Sequence, residues 1–210
     1  MNTPLRIREL GRADLEEAAQ LLGRGMYNNP ANIRAFAISD AERRRRAVAR
    51  FFRPVLHGLY LRGIVYGAFR SEDMVGVCGI ARPCFCQPAP LEKLRVIPAV
   101  VLRNPVLTGF RISTWVSAWA RRDPVVPHWH LGPVAVDPPM QGQGIGSAML
   151  AAFCSHMDAY GSLSYLETDR AENVRFYAKF GFAVMAERKI LEVPTWLMAR
   201  SACRNHITVA

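Results

Sequence analysis

The residues that most clearly indicate a chemical function lie in the stretch 134–150. An apolar run ends at Asp137 and two prolines, and Gly142, Gly144 and Gly146 follow at every second position. The amide groups that open a helix have no intrahelical acceptors and lie at its positive end, so they bind phosphate groups well. Glycine suits such a loop because it has no Cβ to hinder the approach of a phosphate. We therefore predict a strand, a loop that binds pyrophosphate, and a helix.

The spacing of the loop separates three classes of cofactor. A P-loop would require a Gly-Lys-Ser/Thr sequence, but neither the loop nor the following helix contains a lysine. A dinucleotide-binding fingerprint counted from Gly142 would have Ser147 in place of its third glycine. Such a fingerprint also follows the first strand of a βαβ unit, whereas this loop comes late in the chain. Both motifs fit poorly. The remaining motif is the spacing Gln141-x-x-Gly144-x-Gly146. The alternative is that the glycines only form a turn before a helix.

A second set of candidate residues lies in a predicted helix near the C-terminus. Asn173 and Tyr177 are four residues apart and share one helical face, while Phe176 and Phe180 point elsewhere into the core. A phenol can donate a proton to a departing thiolate because the two groups have comparable acidities. The alternative is that Tyr177 is an ordinary core residue.

These two segments, in this order, resemble the GCN5-related N-acetyltransferase (GNAT) superfamily. The matching elements are Gln141-x-x-Gly144-x-Gly146 and Asn173-x-x-x-Tyr177 with Gly181-Phe182. Within the superfamily, Trp129-x-Leu131, Leu166-Glu-Thr168 and Thr195-Trp196-x-Met198-x-Arg200 are most similar to the branch that contains puromycin N-acetyltransferase. The resemblance implies acetyl transfer from acetyl-CoA to the primary amine of a small molecule by direct attack in a ternary complex.

The resemblance also implies how acetyl-CoA is bound. The pantetheine arm would add to a free strand edge, the Val134 amide would polarise the thioester carbonyl, and Tyr177 would protonate the CoA thiolate. The cofactor-binding residues implied are Val134, Ala135, Val136, Gln141, Gly142, Gln143, Gly144, Ile145, Gly146, Ser147, Asn173 and Tyr177. No metal is expected.

The catalytic base and the acceptor site are less well defined. His130 titrates in a suitable range and Glu167 lies on the neighbouring strand, but a water held near Trp129 would serve equally, and His130 also fits an ordinary strand residue. The turn after the first helix, with Tyr27 and Asn29, is expected to contact substrate together with Trp129.

The strand that precedes the loop must position several of these groups. With regular alternation, one face carries His128, His130, Gly132, Val134 and Val136, and the other carries Trp129, Leu131 and Ala135. His130 is therefore expected beside the valines that flank the thioester.

The periodicities along the chain predict the order β-α-α-β-β-β-α-β-α-β-β. This is an α/β (α+β) fold, a single GNAT-type domain over residues 1–210, with a mixed central sheet of about seven strands splayed at the acetyl-CoA site and helices on both faces. Residues 128–200 form the acetyl-CoA-binding core. A hairpin over 182–186 and 189–193 and a strand over 195–200 close the sheet.

Residues 83–127 are predicted to be a helical insertion before the fourth strand. It contains seven prolines, and amphipathic helices are predicted over 91–102 and 108–120. Its aromatic and basic residues also suit a membrane-surface element. We favour packing over an active-site mouth because the apolar residues do not form one broad face.

Composition restricts the partners. Lys and Arg number 27 against 17 Asp and Glu, a net charge of +10 that suits an anionic ligand such as CoA. Arg43–Arg46 are predicted to form a solvated helix face rather than a nucleic-acid site. The odd number of cysteines, mostly in apolar runs, and the absence of a signal segment favour a reducing, cytoplasmic location. We expect a monomer or homodimer without nucleic-acid or membrane partners.

Two other functions are compatible with the sequence. One is an acyl-CoA-binding sensor or scaffold without turnover, although binding alone would not need Tyr177. The other is an acetyltransferase that acts on a protein N-terminus or on lysine.

Overall fold

The alternating and apolar runs form one mixed sheet in the computed structural model, which describes residues 4–86 and 106–202. The strands lie in the order β1-β2-β3-β4-β5-β7-β6. They are β1 Leu5–Glu9, β2 Gly63–Arg70, β3 Asp73–Ala81, β4 His128–Val136, β5 Leu163–Thr168, β6 Ala183–Ile190 and β7 Val193–Arg200. Only β4 and β5 are parallel; the other neighbouring strands are antiparallel. The predicted mixed sheet is confirmed.

The helices cover both faces of the sheet. They are α1 Leu15–Met26, α2 Pro30–Phe36, α3 Ala41–Arg62, α4 Val106–Ala120, α5 Ile145–Ala159 and α6 Ala171–Ala178. The first four bury their apolar residues in one core, and α5 and α6 bury theirs in a second core on the opposite face. The short helix α2 was not predicted. Pro30 at its first position, after the extended Asn29, begins it, since proline has the backbone angle of a first helical residue.

The end of the sheet differs from the sequence prediction. The residues that we assigned to a hairpin and a separate strand form one hairpin, in which β6 and β7 are joined by Leu191 and Glu192. Both joining residues have positive φ, 52° and 67°, as a two-residue hairpin turn requires. The strand β6 is an edge strand whose polar run Glu187-Arg188-Lys189 is exposed, so it carries no apolar alternation that would mark its length.

The strand β4 contains a bulge that reverses its faces. Cys78 pairs with Val134 and Ile80 pairs with Leu131, so Gly132 and Pro133 together oppose Gly79. Before the bulge Leu131 packs into the core of α5 and α6, and after the bulge Val134 packs into the same core. Regular alternation would have placed them on opposite faces.

The predicted face assignment of β4 is therefore wrong. Val136 follows Val134 into the core of α5 and α6, whereas Ala135 packs in the core of α1 to α4. His130 precedes the bulge and lines a cavity together with Phe51 of α3. The extra residue thus places His130 and the two valines on opposite sides of the sheet.

The parallel strands β4 and β5 separate after a short paired region. His128, Trp129 and His130 pair with residues 163–165 of β5. Beyond them β4 remains paired with β3, while β5 remains paired with β7 up to Thr168. The backbone edge of β4 after His130 is therefore open toward β5, as an added strand requires.

The helix α4 packs against α2 and α3. The Trp115 ring is 6.2 Å from Phe51, and the Thr108 hydroxyl donates a hydrogen bond of 3.1 Å to the Phe36 carbonyl. A helix in this part of the insertion was predicted, and the structure begins it at Val106. The helix predicted over 91–102 lies outside the described residues. Within the described chain, no helix has the length and apolarity needed to cross a membrane.

One arginine of the basic segment is not solvated. The buried Arg44 side chain donates hydrogen bonds to the carbonyl oxygens of Tyr27 (2.8 Å), Ser39 (3.2 Å) and Ile38. The prediction of a solvated face is wrong for this residue, because those carbonyl groups lie where α1 and α2 end and need donors. Arg45 and Arg46 remain partly exposed and pair with Glu42.

Candidate active site

The glycine-rich loop connects β4 to α5. After Asp137 the chain forms a 3-10 turn over Pro138–Met140, and Gly142 and Gly144 then have φ of 76° and 78°. A Cβ at either position would contact no described atom within 4 Å. Within the protein itself, the glycines are therefore required by their positive φ rather than by crowding.

Backbone amides at the start of α5 have no helical acceptor. The bond from the Ala148 amide to the Gly144 carbonyl, 2.9 Å, is the first of the helical series. The amides of Ile145, Gly146 and Ser147 precede it and lie at the positive end of the helix. Gly144 contributes no side-chain cap. The loop thus presents consecutive amides that could donate hydrogen bonds to an anion.

An ion pair fixes the position of this loop. Both oxygens of Asp137 accept hydrogen bonds from Arg24 of α1, at 2.9 and 2.7 Å. The Asp137 hydrogen bond raises the pKa of Arg24. The pair could not be predicted from the sequence because 113 positions separate its members. It ties α1 to the end of β4 at the residue where the loop begins.

A cavity of about 310 Å³ crosses the sheet where β4 and β5 separate. Asn173 and Tyr177 of α6 line it from one layer, and Phe51 and Trp115 line it from the other. The four-residue spacing of Asn173 and Tyr177 was thus a correct guide to a shared face. The cavity connects the open edge of β4 with a wall of aromatic side chains.

Tyr177 is a buried member of this lining. Its side chain packs against Phe176 and Phe182, and the residue is 8% exposed. Burial raises the pKa of its hydroxyl. The group therefore keeps its proton at neutral pH, and burial makes it a weaker acid than a free phenol.

His130 and Glu167 form the polar centre of the cavity. His130 Nε2 lies 2.8 Å from Glu167 Oε2, and its Nδ1 lies 3.5 Å from Asp123 Oδ1. Burial lowers the pKa of His130, but the charges of Glu167 and Asp123, with hydrogen bonds to Cys86 and Glu167, raise it well above its usual value. The structure brings both candidate bases into one hydrogen-bonded pair.

Two residues beside this pair were not predicted to belong to the site. Cys86 Sγ lies 3.4 Å from His128 Nε2, and the other ring nitrogen of His128 lies 2.9 Å from the Val126 carbonyl. Burial raises the pKa of Cys86, but hydrogen bonds to His128 and His130 lower it by a larger amount, so the net shift is downward. The signal in the sequence was a His-x-His pair on one strand face and a cysteine after the preceding strand.

The structure places only one of the three predicted acceptor-site residues at the cavity. Asn29 lines the cavity. Tyr27 instead lies beside Arg44, 5.7 Å from its guanidinium carbon. Trp129 points to the opposite face of β4, where it packs against His156 and Tyr160 at 5.9 and 5.5 Å. The prediction that Trp129 contacts substrate is wrong. His130 faces the cavity, and the side chain of the next or preceding residue in a strand points to the opposite face.

The comparisons with known proteins agree with this architecture. The model of the acetyltransferase (GNAT) family matches residues 93–182. A histone acetyltransferase HPA2 and related acetyltransferase from Corynebacterium glutamicum has a TM-score of 0.71 at 20% identity, over 97% of this chain and 99% of that one. The PaiA N-acetyltransferase of Thermoplasma acidophilum, solved with coenzyme A, has a TM-score of 0.60 at 15% identity, over 94% and 99%. The C-terminal condensation domain of Ebony, solved with beta-alanyl-dopamine, has a TM-score of 0.66 at 8% identity, over 95% and 100%. At these identities the shared property is the fold.

Proposed function

We propose that this chain, which has the GNAT fold and matches the acetyltransferase (GNAT) family model over residues 93–182, is an acetyl-CoA-dependent N-acetyltransferase that acts on a small-molecule amine. The observation that carries the proposal is the cavity that crosses the sheet at the separated strands β4 and β5. It allows a thioester to enter along one layer and an amine to meet it from the other.

The cofactor would bind along the loop and the open edge of β4. The amides from Gln141 to Ser147 would hold the pyrophosphate, and backbone groups from Val134 to Val136 would pair with the pantetheine arm. Asn173, which donates a hydrogen bond of 3.2 Å to Thr168, would contact the arm or an ordered water. Ala135 contributes through its backbone, because its side chain faces Gly25 of α1.

The reaction is direct attack of the amine on the thioester carbonyl. The Val134 amide would stabilise the developing oxyanion, and Tyr177 would give its proton to the departing CoA thiolate. His130 would take the proton that the amine loses, once it has released its own; because its pKa is raised, we expect the rate to increase with pH above neutrality. His130 and Glu167 both lie in the cavity, and Glu167 fixes the orientation of the imidazole through the 2.8 Å contact.

The walls of the cavity favour an amine on a bulky apolar group. Phe51 and Phe52 of α3 and Trp115 and Trp119 of α4 line it, and the two tryptophan rings are 4.8 Å apart. Flat aromatic surfaces of this kind bind apolar and aromatic groups, in offset or edge-to-face arrangements.

Acidic groups near the same cavity suit the charged end of such a molecule. Glu167 and Asp169 line the cavity, and Asp123 lies beside His130. Carboxylates attract an ammonium group, which can then lose its proton to the base. We therefore expect the acceptor to carry a primary amine at one end and an aromatic or large aliphatic group at the other.

Thiol release from acetyl-CoA across a panel of amines tests the function. The panel contains phenethylamine and tryptamine, puromycin for the branch resemblance, agmatine, an aminoglycoside, and short peptides with a free N-terminus or lysine. Release with the arylalkylamines supports the proposal. Release only with peptides would replace it with protein acetylation. Acetyl-CoA binding without release for any amine would favour the sensor.

The aromatic wall predicts a selective effect of Trp119→Ala. We expect the KM for an arylalkylamine to rise about tenfold, because one ring face of the binding surface is lost, and the KM for a short aliphatic amine to rise less. Phe110→Ala is the control, since Phe110 is on the same helix but 70% exposed. Equal effects on both amines would contradict the aromatic acceptor.

The loop predicts that Gly144→Val weakens acetyl-CoA binding by about tenfold or more. A β-branched residue at positive φ costs roughly 1–3 kcal/mol, so the loop must leave its anion-binding conformation. Isothermal titration with acetyl-CoA measures the change.

Gly161→Val is the matched control for strain. Gly161 has φ of 61°, a Cβ there also meets no described atom within 4 Å, and it lies beyond the other end of α5. Both variants should lose similar stability, whereas only Gly144→Val should lose affinity. Equal affinities in the two variants would exclude the loop as the pyrophosphate site.

A further inference from the structure

Three side chains with metal-ligand chemistry meet at one end of the cavity. The ligand atoms of Cys86, His128 and His130 all lie within 4.8 Å of one another. The histidines are two positions apart on β4, and both rings pack edge-on against Tyr165, at 5.4 and 5.3 Å. Cys86 comes from the segment after β3. Two neighbouring strands and one aromatic ring thus hold the cluster.

The orientation of His128 is fixed by a hydrogen bond on its far side. Its Nδ1 lies 2.9 Å from the Val126 carbonyl, which can only accept, so Nδ1 carries the hydrogen. Nε2 then has a lone pair and faces Cys86 Sγ at 3.4 Å. Metal-bound histidines are oriented by the same kind of contact to a backbone carbonyl.

The spacing of these two atoms fits a tetrahedral ion. With a Zn–S bond of about 2.3 Å and a Zn–N bond of about 2.0 Å, the sulfur and nitrogen atoms of a tetrahedral site lie about 3.5 Å apart. The observed 3.4 Å requires little movement. Sulfur with imidazole nitrogens is the donor set that selects zinc over magnesium or calcium.

A buried carboxylate oxygen without a partner lies beside the cluster. The Glu167 side chain is 2% exposed, and Oε2 contacts His130 Nε2. Its second oxygen, Oε1, is buried and has no hydrogen-bond partner in the part of the chain that the structure describes. A buried carboxylate oxygen is costly unless it is paired or bound to a metal. Glu167 groups with His130 and Asp123 rather than with Cys86 and His128, so its contact holds the His130 ring at the edge of the cluster.

We propose that Cys86, His128 and His130 bind a zinc ion, with a water as the fourth ligand. The ion would lie between the pair of His130 and Glu167 and the end of β3. Because the site shares His130 with the proposed base, bound zinc would leave no basic ring nitrogen: one nitrogen would hold the metal and the other its hydrogen. Zinc and acetyl transfer would exclude each other. That consequence rests on the proposed function, whereas zinc binding itself does not.

Metal binding by the full chain tests the site. The reduced protein is stripped with EDTA, desalted and titrated with Co²⁺, whose thiolate charge-transfer band reports cysteine ligation. Zn²⁺ affinity is then measured by competition with a chromophoric chelator. We expect one ion per chain and a thiolate band that Zn²⁺ removes. Neither acetyl-CoA nor an amine is present, so the result is independent of the transferase activity.

Cys84→Ser is the matched control for Cys86→Ser. Cys84 is exposed and two positions away, and its variant should keep the band and the affinity. Cys86→Ser should lose the band, and both Cys86→Ser and His128→Gln should lose Zn²⁺ affinity about tenfold or more. Melting temperatures without metal show that each variant is folded. Absence of saturable binding in the unaltered chain, or an unchanged band in Cys86→Ser, would overturn the proposal.

Discussion

Tyr177→Phe is expected to lower the rate of thiol release from acetyl-CoA by about a hundredfold or more, which is the usual contribution of a general acid. The hydroxyl is buried in the cavity, and its raised pKa keeps it protonated. Without it the CoA thiolate must depart without a proton or take one from a less well placed water. Steady-state kinetics with the best amine of the panel measures the loss.

The substitution keeps the ring, so its packing against Phe176 and Phe182 is preserved. We therefore expect the acetyl-CoA dissociation constant and the melting temperature to change little. Tyr160→Phe, which removes the hydroxyl of a 61% exposed tyrosine, is the control. A Tyr177→Phe variant with the turnover of the Tyr160→Phe variant would remove Tyr177 from the mechanism.

His130→Gln is expected to reduce kcat by about a hundredfold, with a smaller change in the KM for the amine. A glutamine amide can still donate a hydrogen bond to Glu167, so the pair keeps its shape, but an amide does not accept a proton. Rates are measured with EDTA in the buffer, which separates this effect from that of a bound metal.

His156→Gln provides the comparison for His130→Gln. His156 is on α5 and packs against Trp129 and Tyr160, on the face of β4 opposite to His130. It should retain nearly full turnover. If His130→Gln also does, the base is another group, and Glu167 or a bound water becomes the next candidate.

The local patterns predicted the glycine-rich loop and the helix α6 well. A strand, a turn of glycines and a helix follow one another within residues 134–150, and Asn173 and Tyr177 differ by one helical turn. Each of these relations depends on neighbours in the chain. Period and propensity therefore suffice to find them.

The surroundings of His130 could not be derived in the same way. The bulge at Gly132 and Pro133 depends on how β4 pairs with β3, and one residue in that register decides which face His130 occupies. Cys86 reaches His128 across 42 positions. Such contacts are set by tertiary packing, which no local periodicity records.

The aromatic wall of the cavity was predicted only in outline. An insertion over the mouth of the site was expected, but the rings that line the cavity come from α3 as well as α4, at Phe51 and Trp115. The sequence shows that these residues are aromatic, but it does not show that they line the same cavity. The burial of Arg44 is similar, since the carbonyl groups that it contacts belong to the ends of other helices.

The bulge in β4 also limits how the protein can change over evolution. Loops usually accept insertions and deletions, whereas β4 works only with its present number of residues. Loss of either Gly132 or Pro133 would restore regular alternation and move His130 out of contact with Glu167, while the loop that follows would keep its sequence. Under the proposed function, relatives that share the glycine loop but lack the extra residue would bind the same donor and need a different way to remove the proton from the acceptor. The length of this strand is a simple criterion for sorting such relatives by mechanism.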